Sequence, residues 1–136
     1  LILIFYVADL SISSIFSFFL FSENSIDYSF ENKFEEFFVV VVFAPIIETY
    51  LFQYLPIKYL DKEIKNSLFI IIICGLIFAI FHQYNHSYTL KAFISGMLYS
   101  TLFLILRIKT KKTILFVFIC HCLYNLTGFV LNFFLE

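Results

Sequence analysis

The sequence predicts an all-α protein, a polytopic membrane helix bundle of about five transmembrane helices. Three observations carry this. Apolar residues make up 62% of the chain, with 21 Phe, and only 14% are charged, against about 45–50% and about 25% in ordinary globular domains. Five stretches are apolar over the length of a membrane crossing, which takes roughly 20 helical residues with every backbone polar group satisfied internally. The connectors between those stretches alternate in the sign of their charge.

Residues 1–21 form the first stretch and carry one charge, Asp9. Leu1 runs straight into apolar sequence with no basic leader and no small-residue cleavage site, which reads as a trimmed start and not as a signal peptide. Residues 22–36 follow as an acidic connector, with Glu23, Asp27, Glu31, Glu35 and Glu36 against Lys33. Phe37 to Ile57 is the second span, with the single charge Glu48. A connector with Lys58, Lys62 and Lys65 leads to the third span, and no Lys, Arg, Asp or Glu occurs between Lys65 and Lys91. The fourth, Ala92 to Leu106, is short, but Lys91 and Arg107 can snorkel to the interfaces. Arg107, Lys109, Lys111 and Lys112 mark the next connector, and Thr113 to Leu135 is the fifth span. The positive-inside rule places the two basic connectors in the cytoplasm and the acidic one outside.

The net charge of −1 lacks the basic excess that nucleic-acid binding requires, so nucleic acid is not among the expected partners. Cys74, Cys120 and Cys122 lie in apolar runs and read as packing residues, with no disulfide framework implied. Cys120 and Cys122 point about 200° apart on a helix, so they cannot join His121 in one metal site.

A carboxylate near mid-membrane costs about 2.5–3.5 kcal/mol on insertion scales, so an intramembrane acid is by default functional. Glu48 is such an acid, the alternative being a structural hydrogen bond to a neighbouring helix. His82 ends the third apolar run, where a merely interfacial role is the competing reading, and His86 in the polar loop beyond is the weaker candidate. His121 and Asn125 are four apart and share a face of the last span. Their alternative is an interhelical bond that holds the bundle together. One acid, two imidazoles and an amide on three spans suit hydrolysis: a base, a group to hold water or protonate a leaving group, and donors for an oxyanion. Glu, His and His are also the ligand set of a catalytic zinc site, although no His-Glu-x-x-His pair is present and no second carboxylate lies nearby in sequence to act as base.

These residues resemble a family. Glu48-Thr49-Tyr50-Leu51-Phe52-Gln53, Phe78-Ala79-Ile80-Phe81-His82 and His121-Cys122-Leu123-Tyr124-Asn125 are similar, in order, to the Glu-Glu-x-x-x-Arg, Phe-x-x-x-His and His-x-x-x-Asn motifs of the CPBP intramembrane proteases. That family includes the CAAX prenyl endopeptidases and the abortive-infection or bacteriocin-processing membrane proteins. The resemblance covers about Phe37 to the C-terminus. It implies an N-terminal transmembrane helix and acidic loop over 1–36 and a catalytic helical core over 37–136. It also implies an intramembrane endopeptidase in which Glu48 and His82 activate water and His121 with Asn125 stabilises the oxyanion. No cofactor is implied by that mechanism, a divalent metal such as zinc being the alternative. The expected partners are a peptide or protein substrate, lipidated or not, and the lipid bilayer.

The chain departs from the first motif at Thr49 and Gln53, which replace an acid and a base four residues apart. A Thr49–Gln53 hydrogen-bond pair is the expected substitute. The rival functions are a non-catalytic membrane scaffold and a proton-coupled transporter fragment. Abundant Phe, Ile, Asn and Lys fit an AT-rich genome, hence a multi-pass protein of a bacterial plasma membrane. Glu48 and Asn125 fall mid-span while His82 falls near a span end, so convergence requires the third helix to start or end deeper than the apolar run does.

Overall fold

The computed structural model describes residues 1–19 and 30–135. Among them are five helices and no strand: α1 (Ile2–Phe19), α2 (Lys33–Glu63), α3 (Ser67–Ile80), α4 (His86–Lys109) and α5 (Thr113–Leu135). The chain is an all-α membrane helix bundle. Three helices, α2, α4 and α5, are long and apolar enough to cross a membrane, and α1 and α3 are shorter apolar helices. Most of the acidic connector, including Glu23 and Asp27, lies outside the described residues.

Asparagines start three of the helices. The side-chain oxygens of Asn32, Asn66 and Asn85 accept from the N–H groups of Glu35, Leu68 and Tyr88 at 2.9, 2.9 and 2.7 Å, each satisfying a donor that a helix start leaves free. The Asn85 cap corrects one expectation. Residues 86–91 are the first turns of α4 and not an exit loop, so α4 has 24 residues.

α2 runs on past the expected end at Ile57, through Lys58 and Lys62 to Glu63, so that only residues 64–66 connect it to α3. Proline inside a helix removes an N–H and crowds the carbonyl four residues back. Here each proline is preceded by a π-helical segment, Phe37–Phe43 before Pro45 and Thr49–Tyr54 before Pro56. The residue just before each proline donates five residues back, Ala44 to Val39 and Leu55 to Tyr50. The wider turn takes up the clash, and the helix continues.

α4 is the centre of the bundle and packs against all four other helices. Its approach to α3 is close enough to require glycine on both sides. A Cβ on Gly75 would lie 2.6 Å from Met97 Cγ and 2.9 Å from the Phe93 carbonyl, and one on Gly96 would lie 2.7 Å from Phe78 Cβ. Small residues that admit close backbone approach are the usual device where hydrophobicity cannot drive helices together.

α1 is fastened to α4 and α5 by polar side chains at positions 6, 9, 13 and 17, a spacing that puts all four on one face. Tyr6 bonds Thr127 and Ser13 bonds Tyr124, while Ser17 accepts from Lys91. Asp9, 1% exposed, accepts from Ser95 and Tyr99. At the far end of the bundle Arg107 pairs with Asp61 at 2.9 Å, which brings the ends of α2 and α4 and their basic residues together. Cys74 and Cys120 are buried in the core beside Ile70, Leu102 and Val117, and all three cysteines are free thiols.

Gly96→Val is expected to destabilise the bundle by about 1–3 kcal/mol through overpacking, measured as a lower thermal unfolding midpoint in detergent. Gly128→Ala, where nothing lies within 4 Å of the added carbon, is expected to leave that midpoint unchanged or slightly raised.

Candidate active site

Glu48 stands between the two π-helical segments of α2, where the altered register turns its carboxylate toward α3 and α5. His82 Nε2 lies 3.6 Å from Glu48 Oε1, and His121 Nε2 lies 3.4 Å from Glu48 Oε2. Three residues from three helical segments, 73 positions apart at the extremes, thus meet around one carboxylate. His82 reaches it because α3 has only 14 residues. The backbone N–H of His82 closes the helix end on the Ala79 carbonyl at 3.0 Å, deep enough for its ring to meet Glu48.

The ring of His82 is oriented by a bond from its own helix, since Nδ1 lies 2.7 Å from the Phe78 carbonyl oxygen. A carbonyl can only accept, so Nδ1 carries the proton, and in the neutral ring Nε2 presents a lone pair toward Glu48. Its face lies on the Phe78 ring, with centroids 4.2 Å apart and planes 18° apart. His121 is held differently. Its face lies on Tyr99 at 4.6 Å and 28°, and Nδ1, fully buried, has no hydrogen-bond partner among the described residues.

A cavity of about 310 Å³ opens onto Glu48 and His82, walled by Ala44, Ile47, Phe52, Phe81 and Tyr84. Ile47, Phe81 and Tyr84 are exposed, so its mouth is apolar. His121, at 3% exposure, forms the closed side of the cluster. A larger cleft of about 700 Å³ lies at the basic end of the bundle, beside Tyr54, Phe103, Arg107 and Lys111, and contains none of these residues.

Asn125 does something the sequence does not announce. Its Nδ2 donates to the backbone carbonyl of Val40 at 2.8 Å. In the π register that carbonyl would accept from the residue five positions on, which is Pro45, and proline has no N–H. Asn125 therefore supplies the donor that Pro45 removes, and in doing so docks α5 on α2. The expected Thr49–Gln53 pair does not form. Both residues are fully buried, and Thr49 Oγ1 and both Gln53 amide atoms have no partner among the described residues. They lie in the π-helical segment Thr49–Tyr54, whose widened turn replaces the α-helical stacking of residues four apart.

Glu48, His82 and His121 are also the residues that would hold a metal. Each imidazole nitrogen faces a different carboxylate oxygen, at 3.6 and 3.4 Å. No group of three His, Cys, Asp or Glu among the described residues has the geometry to hold an ion.

A family model described as type II CAAX prenyl endopeptidase Rce1-like matches residues 31–127. The chain belongs to that family. The match takes in Glu48, His82, His121 and Asn125 and excludes α1. Neither a curated protein nor a solved structure matches the chain. A protease family on a bundle of apolar helices makes this an integral membrane protein of the CAAX protease type.

One residue of consequence was passed over in the sequence. Asp9 is the single charge of its span, and its place on a polar stripe with Tyr6, Ser13 and Ser17 marks it as facing the bundle. Asn125→Ala is expected to destabilise the fold by about 1–3 kcal/mol, because the part-buried Val40 carbonyl is left unpaired in an apolar span. The loss should shrink in a Pro45→Ala background, where residue 45 regains its N–H. Equal losses in both backgrounds, measured by thermal unfolding in detergent, would contradict the assignment.

Proposed function

We propose that the protein is an intramembrane endopeptidase that hydrolyses peptide bonds of membrane-associated substrates by a glutamate-activated water. The observation that carries this reading is the Glu48 carboxylate facing Nε2 of both His82 and His121 at 3.4–3.6 Å, beside a cavity with an apolar mouth. Two acceptors, the carboxylate Oε1 and the unprotonated Nε2 of His82, face one another slightly beyond hydrogen-bonding distance. A water in the adjoining cavity, to the side of this pair, donates an O–H to Glu48 and keeps an oxygen lone pair for attack.

In the reaction that follows, the water oxygen bonds to the carbonyl carbon of the scissile peptide while its proton passes to Glu48. The carbonyl oxygen takes up the negative charge, and His121 with Asn125 donates to it. The intermediate then collapses, the C–N bond breaks, and Glu48 returns the proton to the leaving amine, giving a carboxylic acid and an amine. Asn125 has two amide hydrogens, so one can hold Val40 while the other serves the oxyanion. No cofactor takes part. The substrate is a peptide or protein, lipidated or not, presented from the bilayer of a bacterial plasma membrane.

The test uses the protein in liposomes with a peptide ending in a farnesylated CAAX box and its unlipidated twin, following product release by mass spectrometry. The parent is expected to cleave, Glu48→Gln and His121→Ala to lose at least about 100-fold in rate, and a chelator to leave the rate unchanged. Cleavage by Glu48→Gln at the parental rate would turn the reading to a scaffold with no catalytic glutamate. A chelator-sensitive rate restored by zinc would overturn the water-activation scheme.

A further inference from the structure

We infer that Tyr99, anchored by Asp9 of the first helix, is a positioning residue for His121. The inference rests on the hydrolase reading for its kinetic consequence, though not for its geometry. His82 has a hydrogen bond from Nδ1 to fix the rotation of its ring, whereas His121 Nδ1 has none. What holds the His121 ring is contact with its face. Tyr99 lies nearly parallel at 4.6 Å, and Phe78 approaches at 5.9 Å with its plane tilted by 59°.

A stacked ring can orient its neighbour only if it is itself fixed. Tyr99 is fully enclosed at 1% exposure, and its hydroxyl donates to Asp9 Oδ2 at 2.6 Å. The other carboxylate oxygen accepts from Ser95 at 2.5 Å, one turn before Tyr99 on the same face of α4. Both distances are those of hydroxyls bonded to a carboxylate. The carboxylate thus grips α4 at two points and fixes the tyrosine ring against which His121 lies. His121 Nε2 is in turn 3.4 Å from Glu48. Asp9 of α1, Ser95 and Tyr99 of α4 and Phe78 of α3 supply this support to His121 on α5, and α1 lies outside the family match at residues 31–127. The first helix is therefore a working part of the site in this chain and not an appended anchor.

A small displacement of a reacting group can cost up to about 100-fold in rate. Tyr99→Phe keeps the ring and removes the hydroxyl, and Asp9→Asn keeps the shape of the anchor. On the farnesylated CAAX peptide in liposomes each is expected to lower kcat about tenfold with KM within about twofold. Tyr99→Phe is expected to add no further loss in a His121→Ala background, because the two act as a unit. In nanodiscs, ring-proton NMR of histidine-labelled protein should show the His121 signals displaced by Tyr99→Phe, Tyr99→Leu and Asp9→Asn, with those of His86 unmoved. Parental kcat in Tyr99→Phe and Asp9→Asn, a change confined to KM, or unmoved His121 signals would each overturn the inference. If the parent cleaves neither peptide, the hydrolase reading fails, and the NMR arm still decides whether Tyr99 positions His121. Should Tyr99→Phe fail to fold, Ser95→Ala and Asp9→Asn carry both arms.

Discussion

In an apolar bundle every backbone N–H and C=O must find its partner inside the protein, and the site depends on how α2 meets that demand across two prolines. Pro45 and Pro56 each remove a donor, and the chain answers with a turn that reaches five residues back. The answer is incomplete at Val40, whose carbonyl is met from another helix by Asn125. That single bond joins the irregular part of α2 to α5, four residues from the histidine facing Glu48. A straight helix with alanines at both positions would satisfy its own ladder, with no such hold on α5 and a different direction for Glu48.

The same demand governs the side chains. Polar side chains of α1 are met across helices, each such bond worth on average about 0.6 kcal/mol. Ser17 with Lys91, Asp9 with Ser95 and Tyr99, Ser13 with Tyr124 and Tyr6 with Thr127 lock α1 onto α4 and α5. Among the described residues Thr49, Gln53 and Nδ1 of His121 are the exceptions, buried and without a hydrogen-bond partner. Thr49 and Gln53 follow Glu48 along α2 and His121 faces it, so the unmet polarity among the described residues is concentrated around Glu48.

Much of this was legible in the sequence because membrane helices leave few polar residues, and those few stand out. Glu48, His82 and His121 could be picked out as candidates before any distance was known, and the resemblance ordered them. The limits of the helices were harder to read. Pro56 and the lysines after it suggest an end to α2, but a π turn absorbs the proline, and the lysines line the helix beyond it. The stretch 86–91 looks like a loop by its polarity, whereas Asn85 caps it into α4. The Thr49–Gln53 pair was inferred from α-helical stacking that the π segment does not provide. Asn125 was recognised as a polar neighbour of His121, but its hold on Val40 follows from the register of a different helix. Tyr99 gave no signal at all, since one tyrosine among nine is distinguished only by the carboxylate it meets.

The brevity of α3 has a consequence for the surrounding bilayer. Fourteen residues rise about 21 Å, against about 30 Å of hydrocarbon. Next to this helix either the lipid leaflet thins or the polar stretch from His82 to Asn85 is carried below the headgroups, and both bring solvent inward. Hydration of the membrane defect thus becomes a property of helix length. A bilayer of thicker hydrocarbon, by resisting that deformation, would make water scarcer at Glu48 without altering a single protein contact.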